Sequence, residues 1–580
     1  MKTKRNLFMS IFFTLILVLA GCTTTEKTDS DKKEDPKEEV KDEKKVLRTN
    51  NHSEPGALHP GLAEGTHDSW VIDHVFEGLT VKAPDGTIAK GMADSWETSE
   101  DGLTWTFHLK DGMKWSNGDP VTAGDFEYAW KFALDPNSAS SYAYQLYYLE
   151  GGQEFNNVGA DVLEKYNEEV AQAEKDGKEP PAKPVISEDQ LKPARDKVGV
   201  KALDDQTLEI KLAQATPYFL DLTSFYTYYP INKTVAANNP DWYKEASTFV
   251  SNGPFFLKEW KHKESITLAK NESYYDASKV NLDEVFLYVI EDNNTAWQMY
   301  QTGDIDLLDQ LPSEVTGKLI AENAPDFHNA AELSTYYYNL NSDKKPFNNP
   351  KVRKALSMAI DRQTIVEHVA QGGQMPAYGV VPPGMPDVSG DFRENAGALF
   401  EENVDEAKKL LEEGLAEEGL KEFPKVTLLY NTNEIHKVIA EAVQEMWRKN
   451  LGLENLVLEN VEFQVKLDRE KAGEYMISRA GWIGDYVDPM TYLDLWLTDG
   501  PYNDANYSNK EYDALVNKAK QTMDVTERMD AMHKAEQILM DEMPIIPVYY
   551  YTRPHVYKDN VTGVYTLINR QPQFKYADIK

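Results

Sequence analysis

The sequence predicts a mixed α/β fold that is divided into two or three compact lobes. Its 580 residues exceed the roughly 100–200 residues of a typical single domain. Hydrophobic residues make up 41% of the chain, which is enough to build buried cores. Segments with an apolar period of two, typical of strands, occur along the chain together with segments whose period is three to four, typical of helices.

Three segments have the pattern of strands. Apolar and polar residues alternate over residues 103–109 and again over residues 208–212, and this alternation predicts half-buried strands. Residues 285–290 are continuously apolar, which predicts a strand covered on both faces.

Three later segments predict helices. An apolar stripe at helical spacing runs along residues 352–360. A second helix is predicted over residues 404–413, with Asn403 as its N-cap and Gly414 at its exit. The third is predicted to stop at Pro544, ahead of a C-terminal strand.

The N-terminus has the pattern of a bacterial export signal. Lys2, Lys4 and Arg5 precede an apolar run over residues 7–20 that is too short to span a bilayer comfortably. The run ends in Leu-Ala-Gly-Cys, which resembles a bacterial lipobox with Cys22 in its last position. That resemblance implies cleavage before Cys22 and diacylation of its thiol.

Residues 1–21 are therefore predicted to be a lipoprotein signal peptide, and the mature protein to be lipid-anchored on the extracytoplasmic face of the cell membrane. The alternative is an ordinary signal or anchor in which the cysteine falls by chance. Residues 22–45 carry many charges of both signs and almost nothing apolar, which predicts a disordered tether. Because cysteine occurs once, an internal disulfide is impossible.

The charge balance excludes some classes of partner. The chain has 96 Asp and Glu residues against 61 Lys and Arg residues, a formal net charge of −35. This charge repels phosphate backbones and anionic lipid surfaces. We therefore predict no nucleic-acid partner, and contact with the membrane only through the lipid anchor.

The sequence gives no sign of catalysis. It lacks the phosphate-binding loop, the dinucleotide-binding turn, the nucleophile elbow and the zinc-protease helix. His52, His59, His67 and His74 are separated by six or seven residues, which fits neither helical nor zinc-finger spacing. We predict that these histidines are surface or supporting residues, and that the protein has no catalytic residues, metal or cofactor.

Aromatic residues are abundant, with 32 Tyr, 21 Phe and 11 Trp. Tyrosines cluster at residues 226–229, 336–338 and 549–551. Such side chains can line a ligand cleft or pack in a core, and the sequence leaves both interpretations open.

Several segments match, in order, the pattern of one known protein family. They are GMADSW at residues 91–96, LTWTFHLKDG at 103–112, WSNGDPVTA at 115–123, NGPF at 252–255, YYYN at 336–339, VRKAL at 352–356, MPAYG at 375–379, LYNT at 429–432 and RAGW at 479–482, followed by GDY at 484–486. These segments resemble the extracytoplasmic peptide-binding proteins of ABC importers, the family 5 solute-binding proteins. The resemblance covers residues 46–580. Within the family, the sequence is most similar to the oligopeptide-binding subgroup of lipoprotein type.

The resemblance implies a bilobal, periplasmic-binding-protein-like fold of type II, cluster C, whose hinged lobes close on a ligand. It also implies an extra α/β domain. Lobe I is predicted over residues 46–76, 235–333 and 553–580, the extra domain II over residues 77–234, and lobe III, the second ligand-binding lobe, over residues 334–552.

A receptor for many peptides must bind the groups that all peptides share, namely the α-ammonium, the main-chain amides and the carboxylate. Asp485 can supply the anion for the ammonium; the alternative is that it only caps the turn before Pro489. Strand-like pairing along residues 481–485, and at Asn252 and Gly253, is expected to bind the peptide main chain.

The resemblance assigns further site residues. Those that match cleft-lining positions of the family are Glu64, Tyr142 and Trp482. Those that resemble its cations for the peptide carboxylate are Arg479, Arg469 and His436. Arg469 needs a one-residue change of spacing to match, and an exposed surface position stays an equal alternative for both it and the histidine.

The resemblance therefore implies a binding protein rather than an enzyme. It is expected to act as a monomer that captures oligopeptides and delivers them to the permease and ATPase subunits of an ABC importer. One alternative is the same fold with another ligand, such as a dipeptide, a nickel chelate, haem or an oligosaccharide. Two others are a receptor for peptide pheromones and a cell-surface hydrolase that processes peptides.

Overall fold

The computed structural model describes residues 44–580 apart from residues 176, 177, 215 and 523. The predicted signal peptide, Cys22 and all but the last two residues of the predicted tether lie outside the described residues.

Those last two residues of the predicted tether contact the folded body. Lys44 forms an ion pair with Glu284, and Lys45 forms one with Asp578 at 2.6 Å. Both lysine side chains are well exposed, so each pair contributes about 0–1 kcal/mol. The contacts nevertheless begin two residues earlier than the predicted start of lobe I.

The described chain contains strands and helices along its whole length. The strands are β1 (Val46–Asn50), β2 (Thr80–Lys82), β3 (Ile88–Lys90), β4 (Ala93–Thr98), β5 (Thr104–Leu109), β6 (Val200–Ala202), β7 (Thr207–Lys211), β8 (Phe255–Lys261), β9 (Ser265–Lys270), β10 (Glu284–Tyr288), β11 (Leu307–Leu308), β12 (Phe327–Leu340), β13 (Met375–Pro376), β14 (Val426–Asn431), β15 (Leu456–Val461), β16 (Ile477–Ile483), β17 (Ile545–Tyr557), β18 (Val561–Thr562) and β19 (Asp578–Ile579).

The helices pack around and between these strands. They are α1 (Thr66–Val75), α2 (Ala123–Leu134), α3 (Gly152–Asn156), α4 (Ala160–Lys175), α5 (Glu188–Arg195), α6 (Phe219–Leu222), α7 (Lys233–Asn238), α8 (Asn293–Thr302), α9 (Ser313–Glu322), α10 (Pro350–Met358), α11 (Arg362–Thr364), α12 (Phe392–Ala396), α13 (Val404–Glu417), α14 (Glu434–Leu451), α15 (Phe463–Lys471), α16 (Met490–Leu493), α17 (Lys510–Gln521) and α18 (Val525–Glu542).

Three main sheets organise the fold. One has the strand order β1-β10-β9-β8, the second has the order β4-β5-β7-β6, and the largest has the order β11-β17-β12-β16-β14-β15 with β13 added beside β17. In the largest sheet β14 runs parallel to β15 and β16, whereas β12 runs antiparallel to β16 and β17. The mixture of parallel and antiparallel pairs agrees with the predicted mixed α/β content.

Two of the predicted strands occur as β5 and β7, and the third was predicted with the wrong burial. Val285 and Leu287 of β10 are buried, but Phe286 and Tyr288 are only partly buried. The two rings pack against each other at 4.8 Å between centroids. A continuous apolar run therefore formed a strand with one covered face, because mutual packing of the rings shields part of the other face.

The helix predicted over residues 404–413 is longer than expected. Asn403 caps α13 by accepting a hydrogen bond from the Glu406 N–H at 3.1 Å, as predicted, but the helix continues past Gly414 to Glu417. A Cβ on Gly414 would lie 2.7 Å from Cγ2 of Val352 in α10. The glycine thus allows two helices to approach closely and does not end one of them.

The pairing of strands β12 and β17 is irregular at two places midway along their length, one of them between Tyr336 and Tyr337. Their register shifts between Ala331 and Thr335, and a buried ion pair joins Glu332 to Arg553 at 2.8 Å beside that shift. The predicted boundaries between lobes I and III fall at this point, and they stay a prediction.

Within the described ranges, no helix has both the length and the apolar character needed to cross a bilayer.

Candidate functional site

A cavity of about 350 Å³ is lined by β16 and the residues that follow it. Every residue from Arg479 to Asp485 contributes to its wall. The loop at Glu64, before α1, and the segment at Tyr142 form other parts of the wall. Of the nine ligand-binding residues predicted from the sequence, the fold brings six to this cavity: Glu64, Tyr142, His436, Arg479, Trp482 and Asp485.

The loop that carries Asp485 is fixed by contacts on both sides. The Asp485 N–H donates to Oγ1 of Thr491 at 3.0 Å, and its carbonyl accepts from Nδ2 of Asn569 at 3.1 Å. Asp488, three residues later, forms a bidentate ion pair with Arg528 at 2.7 Å for both bonds. A paired and buried carboxylate of this kind is held firmly, so the loop is positioned without a ligand.

The Asp485 carboxyl group is held by another part of the chain. It accepts hydrogen bonds from Nε2 of Gln145 at 2.8 Å and from the Tyr142 hydroxyl at 3.4 Å. Both donors lie more than 300 residues earlier in the sequence, so capping of the turn before Pro489 does not describe its role. The residue is 8% exposed.

Burial raises the pKa of Asp485 well above its ordinary value, and the negative charge of Asp494 raises it further. A buried carboxyl group of this kind prefers its neutral form until a cation arrives. The cavity therefore contains a carboxyl group that is neutral on its own and that the ammonium group of a ligand would cause to ionise.

Three aromatic rings form a wall beside Asp485. Trp482 stacks on Tyr142 with 6.3 Å between ring centroids and meets the edge of Tyr502 at 4.9 Å. The Nε1–H group of Trp482 is buried and has no hydrogen-bond partner among the described residues. Rings with a free donor can cover a ligand side chain without demanding one particular structure.

Arg479 presents a cation to the same cavity. Its guanidinium group donates to the Tyr551 hydroxyl and to Oδ1 of Asn431 at 3.4 Å, and it lies 4.8 Å from the ring centroid of Tyr336. Across residues 44–580, with their gaps, no ion pair joins it to a carboxylate, and its Nε–H is buried without a partner. This arrangement can bind an anionic group of a ligand.

His436 lies near this arginine and is 9% exposed. Burial lowers the pKa of His436 well below its ordinary value, and the positive charges of Arg479 and Lys466 lower it further. The ring is therefore neutral near pH 7 in the ligand-free protein. A cationic role for it would require a bound carboxylate to raise that pKa.

Strand β16 has an open edge along the cavity. It pairs with β12 over its whole length, but with β14 only at Ile477 and Ser478. The N–H of Gly484 donates to the carbonyl of Leu333 toward β12 at 2.8 Å. Since main-chain groups alternate between the two edges, residues 481 and 483 present theirs to the open edge, which can accept an added strand.

Glu64 joins two distant segments in the wall of the cavity. It forms an ion pair with Lys471 at the end of α15 and accepts a hydrogen bond from Oγ of Ser141 at 2.8 Å. Asp68 positions it by accepting bonds from the N–H groups of Glu64 and Gly65 at 3.2 and 3.1 Å. Because its charge is already paired, Glu64 contributes to the wall rather than a free anion.

Three of the predicted ligand residues do not line the cavity. Arg469 is instead paired with Glu459 at 2.8 Å, because it lies on the face of α15 that is turned toward β15. Asn252 binds the main chain of Glu77 through both amide atoms, at 2.9 and 3.1 Å. A Cβ on Gly253 would lie 2.5 Å from the carbonyl carbon of Val75, so that glycine serves close packing.

The four evenly spaced histidines are not surface residues. His52, His59 and His74 are at most 5% exposed, and His67 is partly buried. His52 pairs with Asp309 at 2.7 Å, while His74 stacks on Phe574 at 4.6 Å. In the portion of the chain that the structure describes, no group of His, Cys, Asp and Glu residues could hold a metal ion.

The sequence did not reveal several residues of the site. Gln145, Tyr502, Lys466, Glu470 and Asp504 all contact the cavity or its residues, but none belongs to a motif. Gln145 is separated by 340 positions from the carboxylate that it binds. Only the folded chain shows such a pair, although the position beside the predicted Tyr142 was a weak signal.

Comparisons with known proteins agree with this geometry. Residues 87–504 match the family described as bacterial extracellular solute-binding proteins, family 5. The oligopeptide-binding protein OppA of Bacillus subtilis is 42% identical over 566 residues, which cover 96% of this chain and 95% of that protein. The dipeptide-binding protein DppE of the same organism is 37% identical and covers 97% of each chain.

Two solved structures of murein tripeptide-binding proteins named MppA, one of them from Escherichia coli, match this chain. One matches this chain with a TM-score of 0.79, at 31% identity over 93% of this chain and 99% of that one. The unliganded open form gives 0.59, at 32% identity over 93% and 98%. This chain therefore superposes less well on the unliganded open form than on the first structure.

These matches confirm the predicted bilobal, periplasmic-binding-protein-like fold and the predicted family. The matched segment spans more than half of the chain, and the relatives are covered almost completely. This protein belongs to family 5 of the bacterial extracellular solute-binding proteins.

Proposed function

We propose that this protein is a lipid-anchored extracytoplasmic receptor that captures oligopeptides in the cavity along β16 and delivers them to the permease and ATPase subunits of an ABC importer. The observation that carries the proposal is the order of groups along this strand. A buried carboxyl group, Asp485, stands at one end, an open strand edge follows, and a guanidinium group without an anion, Arg479, stands at the other end.

This order matches the groups of a free peptide. The carboxylate complements the α-ammonium, the open edge complements the main-chain amides, and the guanidinium complements the carboxylate. Asp485 and Arg479 are six residues apart, which in an extended strand corresponds to roughly 20 Å. A dipeptide spans only about 7 Å, so the spacing favours longer peptides over the dipeptide alternative.

The names of the relatives support peptides in general as the ligand. OppA is an oligopeptide-binding protein, and DppE is a dipeptide-binding protein. Both are compared over nearly their whole length. The cavity is lined by residues of one chain, which supports capture of the peptide by a monomer.

The proposal predicts selective binding of free peptides. We expect calorimetric titration of the refolded, ligand-stripped protein to detect tri- to pentapeptides, and N-acetylation to weaken them by more than about tenfold because it removes the charge that Asp485 pairs with. Lack of binding by both forms would contradict the oligopeptide assignment. A strong preference for one peptide sequence over composition-matched scrambles would favour the pheromone-receptor alternative.

The lipid anchor predicts a separate result. We expect the Cys22→Ser variant to appear in the soluble fraction of the culture, whereas the unchanged protein sediments with membranes, because a serine at this position cannot be diacylated. Incorporation of an alkyne fatty acid into the unchanged protein, and not into the variant, is the matched measurement. Equal sedimentation and equal labelling of the two proteins would contradict the anchor.

A further inference from the structure

One corner of the cavity has more negative than positive charge. It comprises Glu470 and Lys466 on α15, Lys471 at the end of that helix, Glu64 on the loop before α1, and Asp504 on the loop before α17. We call this group the acidic corner. Its three carboxyl groups face two lysines, so one negative charge has no counterpart when all five groups are ionised.

The ion pairs of the acidic corner show which carboxyl group is left over. Lys466 pairs with Glu470 at 2.5 Å, and both side chains are at least 96% buried. Lys471 pairs with Glu64. Within the described residues, the carboxyl group of Asp504 has neither an ion pair nor a hydrogen-bond donor.

A second observation points to a binding position for a ligand group. Oε1 of Glu470 is buried and has no hydrogen-bond partner among the residues that the structure describes, although Glu470 is only 3% exposed. A buried carboxylate oxygen without a donor costs about 1–3 kcal/mol or more. The corner thus contains an unpaired carboxyl group and an unpaired carboxylate oxygen that both line the cavity.

The protonation state of Asp504 is consistent with a site that binds a cation. Burial and the negative charge of Glu470 raise the pKa of Asp504 to about 8, whereas Lys466 and Lys471 act in the opposite direction. In the empty protein near pH 7, the carboxyl group is therefore protonated. A cation that enters the corner would favour the ionised form and release this proton.

We propose that the acidic corner, through Asp504 and Glu470, selects peptides that carry a lysine or arginine side chain. The inference rests on the proposed function and adds a side-chain preference to it. A lysine stem can lie along the nearby Tyr502 ring, which contacts Trp482 at 4.9 Å, while its ammonium reaches the carboxyl groups. Among the described residues, no group of His, Cys, Asp and Glu is suited to hold a metal ion.

The test is a lysine scan of one peptide. An all-alanine tetrapeptide is titrated into the protein beside four peptides that have lysine at one position each and four that have norleucine there. We expect lysine to bind about tenfold or more tighter than norleucine at one position, the size of one charge-assisted hydrogen bond. We also expect that ratio to grow from about pH 6 to about pH 8, as Asp504 loses its proton more readily.

Variants assign the effect to its residues. Asp504→Asn is expected to reduce the ratio of lysine to norleucine affinity to about one and to abolish proton release on binding, measured in buffers of different ionisation enthalpy. Glu470→Gln is expected to reduce the ratio in part. Asp530→Asn, which removes one exposed carboxylate outside the cavity, keeps the ratio and controls for overall negative charge.

The outcomes separate this inference from the proposed function. If alanine peptides bind but lysine gives no advantage at any position, the acidic corner has no selective role and the receptor proposal stands. If the advantage survives in Asp504→Asn with its fold intact by thermal unfolding, the inference is wrong. If none of the peptides binds, both the inference and the proposed function fail.

Discussion

Replacement of Asp485 by asparagine is expected to weaken the binding of a free tetrapeptide by about 100-fold or more. The substitution keeps an oxygen for Gln145, which donates at 2.8 Å, but removes the charge that the peptide ammonium needs. An unpaired charge in a buried site costs about 3–5 kcal/mol, and each 1.4 kcal/mol corresponds to about tenfold in affinity. Calorimetric titration of both proteins with the same peptide measures the loss.

The N-acetylated peptide supplies the decisive comparison. It has no ammonium, and the unchanged protein can meet it with a protonated Asp485, because burial raises the pKa of that group well above its ordinary value. We therefore expect the acetylated peptide to bind the unchanged protein and Asp485→Asn about equally. A loss of the same size for both peptides would show that the substitution acts through the structure of the loop. Asp530→Asn serves as the control for an exposed carboxylate.

The raised pKa also predicts the pH dependence of binding. A free peptide requires the ionised carboxylate, so its affinity is expected to increase as the pH rises toward the pKa of Asp485 in the empty protein. It then decreases above about pH 8, where α-ammonium groups lose their proton. In the Asp485→Asn variant, the increase of affinity with pH is absent, and the decrease of affinity above about pH 8 is smaller.

The sequence predicted those parts of the fold that depend on local patterns. The alternation in β5 and β7 and the cap at Asn403 occur as expected. Gly414 was misjudged because a glycine that permits close helix packing looks the same in the sequence as one that ends a helix. Only the position of Val352, which lies on another helix, distinguishes the two cases.

The site was predictable where its residues lie on one continuous segment. Arg479, Trp482 and Asp485 belong to a single run and line the cavity together. Arg469 was assigned through the resemblance with a one-residue change of spacing, and Asn252 through the separate NGPF segment. The first lies on an α15 face that pairs with Glu459, and the second binds main-chain atoms of the core.

The acidic corner could not be found from the sequence for a related reason. Its members come from three separate segments, and acidic residues are common throughout a chain with 96 of them. What distinguishes Glu470 and Asp504 is that, in the described structure, Oε1 of Glu470 has no hydrogen-bond partner and the carboxyl group of Asp504 has no ion pair. That property depends on packing and is invisible to a pattern of residue types.

Replacement of Arg479 by methionine is expected to weaken the binding of a peptide with a free C-terminal carboxylate by about 30- to 100-fold. A hydrogen bond to a charged group contributes about 1.5–3 kcal/mol, and the bidentate geometry of guanidinium and carboxylate is at the upper end of that range. Methionine keeps most of the length of the apolar stem but removes the guanidinium group that lies over Tyr336. For the C-terminally amidated peptide, which has no carboxylate, the same substitution is expected to change the affinity little.

Arg469→Met is the matched control, because Arg469 pairs with Glu459 and lies outside the cavity wall. Arg469→Met is expected to bind both peptides as the unchanged protein does. An equal loss of affinity in Arg469→Met and Arg479→Met would contradict the assignment of the carboxylate to Arg479.

The stability of the ligand-free proteins gives a second readout. Arg479 is a largely buried cation without an anion in the described chain, which is unfavourable for folding, so its removal should raise the unfolding temperature of the empty protein. Weaker binding together with greater stability would mean that this arginine is retained for the ligand and not for the fold.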